Sequence, residues 1–399
     1  MAPIPRIRQV RIRNYKSIAN AVVDLDLLTV FVGANGAGKS NFSDALAFVR
    51  DSLTHSVELA FKNRGGIQAV RRRSGGHPTH IAIGLSIDLG EEGQASYEFE
   101  IEAESDGGFR VSKERCEVRR LMSPTAVFET SNGEFVKSVP GIRPRLASDR
   151  LALVAVSALE DFASVFDFLT TMQFYSIAPQ QLRSMQEADV GDLLADDGRN
   201  APAVLRRLQG EEPEAYERVC RLLSQVVDGV SSVEPKSIGT LETLVFRQEV
   251  VGQRYPWKFD AQNMSDGTLR VLGLLLAMYQ SGHASVVGVE EPESTVHPAV
   301  AELLLEVFLD ATHERQVIVT THSPDILDSK HLKAGQVRVV HMAQGVTQIG
   351  RMREVDREAV HTRLYTSGEL LRGGELAPDM GDVERVWKQA TLFQSEPSS

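Results

Sequence analysis

The pattern of apolar and polar positions resolves the chain into elements. Residues 27–32 are almost wholly apolar and predict a buried strand, and residues 41–49 predict a helix that starts near Lys39. Residues 6–12 alternate basic and apolar side chains, which predicts an edge-type strand. A turn at 14–17 and a second alternating strand at 21–27 follow. Residues 79–89, 95–103, 109–120 and 126–139 read as an antiparallel meander, with turn signals at 90–93, 106–108 and 132–133. Between about 150 and 230 the pattern is helical, with apolar residues three and four apart along 203–208 and 216–227. Strand signals return at 244–251 and 255–259. A helix at 266–279, a strand at 285–289, a helix at 298–311 and a strand at 316–320 then alternate in α/β fashion.

The junction of the first buried strand and its helix carries chemistry. Gly33-Ala34-Asn35-Gly36-Ala37-Gly38-Lys39-Ser40 has the spacing G-x-x-x-x-G-K-S between a strand and a helix. Glycines let the backbone turn tightly, so successive N–H groups face phosphate oxygens, and the helix N-terminus adds its dipole. Lys39 then reaches the β- and γ-phosphates and Ser40 holds Mg²⁺ through its hydroxyl.

Composition narrows the class. The chain has 399 residues, 42% of them apolar, enough for one large or two ordinary domains. A net charge of −11 provides no global basic field for nucleic acid, although Arg71-Arg72-Arg73 and Arg115 with Arg119-Arg120 form local clusters. Two distant cysteines, Cys116 and Cys220, form no disulfide framework or zinc knuckle and suit a reducing cytoplasm. The N-terminus lacks a signal-peptide core, and the longest apolar run, 271–278, is too short for a membrane span. A cytoplasmic protein without a membrane partner is expected.

Three further segments extend the reading. Residues 285–289 lead into Glu290-Glu291-Pro292-Glu293, a strand ending in adjacent carboxylates. In a P-loop ATPase such a strand is expected beside the P-loop strand; its first acid supports Mg²⁺ and its second orients the attacking water. Asn263-Met264-Ser265-Asp266-Gly267-Thr268 opens a helix with Ser265 as its N-cap. Thr320-Thr321-His322-Ser323-Pro324 ends a strand and delivers His322 to the sheet edge where ligands gather in open α/β folds.

In order and spacing, these segments resemble the ABC-type ATPase family in its RecF/SMC/OLD-like branch. Residues 33–40 match its Walker A, 263–268 its signature loop, 290–293 its Walker B with a trailing Pro-Glu, and 320–324 its histidine switch. Ile12-Arg13-Asn14-Tyr15-Lys16-Ser17-Ile18 is similar to the branch's opening. The resemblance implies an α/β fold: an ABC-type head over 1–75 and 240–345, an antiparallel β subdomain over 76–145, a helical insertion over 146–239 and a C-terminal extension over 346–399.

It also implies ATP and Mg²⁺ as cofactors and a homodimer of heads sandwiching ATP. Gly33, Asn35, Gly36, Gly38, Lys39, Ser40 and Asn41 bind the nucleotide, while Ser265, Asp266 and Gly267 act in trans. Glu291 becomes the general base or water-orienting residue and His322 the γ-phosphate switch. Ser40, Glu290 and a Q-loop glutamine serve the metal; Gln68 is the candidate, with Gln180 and Gln181 as rivals. Glu290 stands where the family usually has Asp. Heptads for coiled-coil arms and a C-x-x-C hook are missing, and the stretch after His322 is short for a Toprim nuclease domain. The expected role is a DNA-associated switch controlling a separate effector such as a nuclease in anti-phage defence. A RecF-like repair ATPase and a weakly hydrolytic scaffold remain alternatives, whereas a transporter subunit is disfavoured by the missing Leu-Ser-Gly-Gly-Gln signature.

Overall fold

Ile7, Val10 and Ile12 are fully buried on one face of the strand Arg6–Tyr15, and Arg11 and Arg13 lie on the other. The computed structural model describes residues 3–73, 80–104, 107–120, 123–138, 146–147, 149–381 and 383–384. In it this strand sits between Ile18–Asp24 and His80–Asp88, so it is an inner strand and not the expected edge. Its alternation reflects a sheet packed on one face, which inner antiparallel strands share with edges. Gln94–Ala103, Phe109–Arg119, Ala126–Ser131 and Glu134–Lys137 complete a seven-stranded antiparallel sheet. The last two form a hairpin turning at Asn132 and Gly133, both at positive φ.

This sheet joins strands before the phosphate loop to the meander after it. Residues 74–79 and 139–145, where both edges of the expected β subdomain fall, lie outside the described residues, as do Asp106 of an expected turn and the polar end 394–399.

The second sheet has six strands in the order Val346–Arg351, Val337–Ala343, Leu28–Val32, Gln316–Thr321, Val286–Glu290 and Gln173–Tyr175. All neighbours run parallel except the first pair. Helices cover both faces, as parallel sheets require. Phe31, Val286 and Ile318 join the core that contains Phe42 and Leu46 of the helix Lys39–Thr54. Val30, Val32, Val287 and Val319 join the core of Asp266–Tyr279 and Ala301–Ala311.

Three strands fall inside the region expected to be helical, the shortest being Gln186–Glu187, which pairs with Leu241–Gln248. Gln173–Tyr175 forms the far edge of the parallel sheet, and Val230–Ile238 pairs with Leu241–Gln248 in a third, antiparallel sheet. That strand carries Pro235 and pairs on one side only, an edge position where a missing N–H costs nothing. No described helix is long and apolar enough to cross a membrane. Cys116 and Cys220 are buried free thiols.

Candidate nucleotide site

The phosphate loop is held from behind by residues far away in sequence. Thr347 donates its hydroxyl to the carbonyl of Ala37 at 2.9 Å and lies 2.6 Å from the Ser17 hydroxyl. Gly38 has φ +101°, and a Cβ there would meet Thr347 Oγ1 at 2.1 Å, so the loop fits only with glycine. Gly33 is equally confined, its Cβ direction leading to the carbonyl of Val340 at 2.1 Å. Gly36, at φ +77°, faces open space. Asn41 donates its amide to Ser17 Oγ at 2.6 Å, a loop-bracing contact that the sequence did not suggest. Asn35 and Ser40 are exposed, whereas Lys39 is buried, with Nζ donating to the carbonyls of Gly33 and Ala34 at 2.9 and 3.1 Å. Burial lowers the Lys39 pKa, with Glu291, Glu293 and Glu290 pulling the other way.

One expectation about the carboxylate strand is overturned. Val286–Glu290 does not lie beside the phosphate-loop strand; Gln316–Thr321 runs between them. The histidine strand is therefore the inner one, with Thr320 opposite both Phe31 and Glu290. The side chains still converge, because these parallel strands end on the same edge. Burial raises the Glu290 pKa, the Asp44 and Glu291 charges raise it further, and a hydrogen bond with Ser40 opposes them. A serine hydroxyl bonded to a carboxyl, beside two more carboxylates, is an oxygen donor set that fits a hard divalent cation. Asp44 itself is held by Tyr15 Oη at 2.7 Å, Lys16 Nζ at 2.6 Å and Arg64 Nε at 2.8 Å. Burial raises its pKa, but these partners outweigh it and leave the carboxyl below its ordinary value.

Glu291 has φ +43°, a conformation rare outside glycine. Arg270 explains how it persists. From the helix Asp266–Tyr279, its guanidinium donates to the carbonyls of Glu290 at 3.1 Å and Glu291 at 2.7 Å, and to Ile177 at 2.9 Å. Glu293 Oε1 accepts from Thr321 Oγ1 at 2.6 Å and from the backbone N–H of His322 and Ser323 at 3.0 and 3.2 Å. His322 Nδ1 stands 3.5 Å from both Glu291 Oε1 and Glu293 Oε1.

Ser265 caps its helix, accepting from the N–H of Thr268 at 3.2 Å, and is itself exposed. Asp266 pairs with Arg183, and Gly267 packs against the Thr295 carbonyl, which a Cβ would approach to 2.7 Å. These contacts tie the signature loop to elements of its own chain. Gln68 is exposed, with Oε1 accepting from Arg71 at 2.8 Å and no hydrogen bond to the phosphate loop or Glu290 among the described residues. Gln180 and Gln181 instead start the helix Pro179–Arg183, which follows a strand of the parallel sheet.

A phosphate loop, paired carboxylates and a histidine on one edge of a parallel sheet, with an antiparallel sheet alongside, define an ABC/SMC-like P-loop ATPase. The chain belongs to the family described as "AAA domain, putative AbiEii toxin, Type IV TA system", whose model matches residues 28–328. It is similar to a crystal structure of the Smc head bound to the C-winged helix domain of ScpA, with TM-score 0.55 and 13% identity over 87% of this chain and 97% of that one. It is likewise similar to the Smc head domain with an extended coiled coil bound to the C-terminal domain of ScpA, derived from Pyrococcus furiosus. There the TM-score is 0.54, with 11% identity over 90% of this chain and all of that one (100%). At such identities the likeness concerns the fold. No curated protein matches the chain by sequence.

Proposed function

We propose that the protein hydrolyses ATP at a site completed by a second copy of itself, and that this cycle makes it a cytoplasmic, DNA-associated switch for a separate effector. The observation that carries the reading is the convergence of Ser40, Glu290, Glu291 and His322 at the ends of three adjacent parallel strands. Ser40 and Glu290 would hold Mg²⁺, which when bound neutralises phosphate charge. The phosphate-loop N–H groups and Lys39 bind the phosphates. Glu291 orients and deprotonates the attacking water, and His322 reads the γ-phosphate. Exposed Ser265 fits a role facing a partner's nucleotide. Binding of ATP then favours the closed dimer and its hydrolysis releases it.

Of the two basic clusters, one is neutralised: Arg115 and Arg119 pair with Glu117, and Arg120 with Asp161. Arg71, Arg72 and Arg73 hydrogen-bond to Gln68, Ser17 and Gly345 and pair with no carboxylate among the described residues. They are the candidate DNA contact. Phosphate release measured with and without duplex DNA tests the reading, together with light scattering of Glu291→Gln. Turnover that depends on Glu291, and a dimer of that variant formed only with ATP, support it; turnover unchanged in Glu291→Gln contradicts it.

A further inference from the structure

Glu293 lies outside the roles assigned so far, although its side chain is 11% exposed and fully engaged on one oxygen. All three donors of the 321–323 loop meet Oε1, while Oε2 is buried without a partner. Holding the loop needs one acceptor oxygen, which a glutamine also supplies. The second oxygen adds only negative charge, at the cost of burying it unpaired. That charge faces His322 Nδ1, which is also buried without a hydrogen bond and stands equally close to Glu291.

We infer that Glu293 is the positioning residue for His322: it seats the switch loop through Oε1, and its charge, with that of Glu291, keeps the imidazole proton on Nδ1. Nε2 then presents its lone pair toward the nucleotide, so His322 meets the γ-phosphate through a shared water that donates to both, not by donating to the phosphate itself. A proton on Nε2 instead would turn the Nδ1 lone pair toward two carboxylates, a repulsive arrangement at 3.5 Å. Arg270 fixes the Glu290–Glu291 end of the same turn, so the carboxylates and the histidine share one rigid frame. The kinetic part of this inference rests on the hydrolytic role proposed above; the proton's location does not.

Glu293→Gln separates the two functions, because its amide oxygen retains the loop bonds while the charge is lost. The expected result is a fall in kcat of about tenfold or more with KM for ATP within about twofold. In the His322→Ala background the same change should have no further effect. Imidazole nitrogen shifts of isotope-labelled protein, with His322 assigned by its loss in His322→Ala, should report Nδ1 protonation in the wild type and a shift toward Nε2 in Glu293→Gln. Nε2 protonation in the wild type overturns the inference even if the protein hydrolyses no ATP. Wild-type kinetics in Glu293→Gln, or additive losses in the double variant, overturn the kinetic part while leaving the ATPase reading intact.

Discussion

Replacing Glu114 by Gln should change how stability depends on pH. Glu114 is 1% exposed between the strand Phe109–Arg119 and the helix Ala152–Val156. It accepts from Tyr97 Oη at 3.0 Å and Leu153 N–H at 2.8 Å, and from the N–H of Ala152. Burial pushes its pKa up to about 7 from 4.5, against the pull of these hydrogen bonds. A carboxyl raised in the folded chain binds its proton more tightly there than when unfolded. Its contribution is therefore complete below the unfolded pKa and is lost as pH rises through about 7. At 1.36 kcal/mol per pKa unit, the loss between pH 5 and pH 8 is roughly 2–3 kcal/mol. Glu114→Gln keeps an acceptor but cannot ionise. Urea unfolding followed by circular dichroism at pH 5, 6, 7 and 8 measures both proteins. Relative to wild type, the variant should gain roughly 2–3 kcal/mol across this range, whatever its offset at pH 5. Parallel curves, diverging by less than about 0.5 kcal/mol over the range, would mean that Glu114 is not held protonated by its burial.

Other consequences concern the site itself. Gly38→Ala should abolish nucleotide binding and lower the melting temperature, because its Cβ collides with Thr347 and its φ is left-handed; Gly36→Ala, facing open space, should cost only about 1 kcal/mol. Thermal melts and fluorescent-nucleotide titration compare the two. Arg270→Ala removes donors from three carbonyls, so it should destabilise by roughly 2–4 kcal/mol and slow turnover, with partial recovery in Arg270→Lys. Chemical unfolding with single-turnover kinetics checks this. Glu290→Asp withdraws the carboxyl from Ser40 by one methylene, so half-maximal turnover should need about tenfold more Mg²⁺, read from a Mg²⁺ titration.

What the sequence revealed depended on how locally each feature is built. The phosphate loop, the Ser265 cap and the strand carrying His322 are contiguous segments, and residue pattern identifies them. The order of the parallel strands is set by crossovers, so residue pattern does not reveal that Gln316–Thr321 separates the strand of Glu290 from the phosphate-loop strand. Gln173–Tyr175 spans three residues, too few to show a period against neighbouring helices. Ser17 and Thr347 brace Gly38 from opposite ends of the chain, and no local pattern links them. Arg270 did leave a signal: between Thr268 and Met278 it is the one charged residue in an apolar helix. A charge there needs buried acceptors, and the carbonyls of Ile177, Glu290 and Glu291 provide them.

If each ATP is handled by two chains, as proposed, then mixing two complementary inactive variants must restore turnover. Lys39→Ala disables the phosphate loop and Ser265→Arg disables the signature loop, so each variant alone should be inactive. In a mixed dimer both lesions fall on one composite site, leaving the other intact. With random pairing, an equimolar mixture should recover about a quarter of wild-type ATP turnover. A mixture as inactive as its components, with both variants folded, would contradict a shared site.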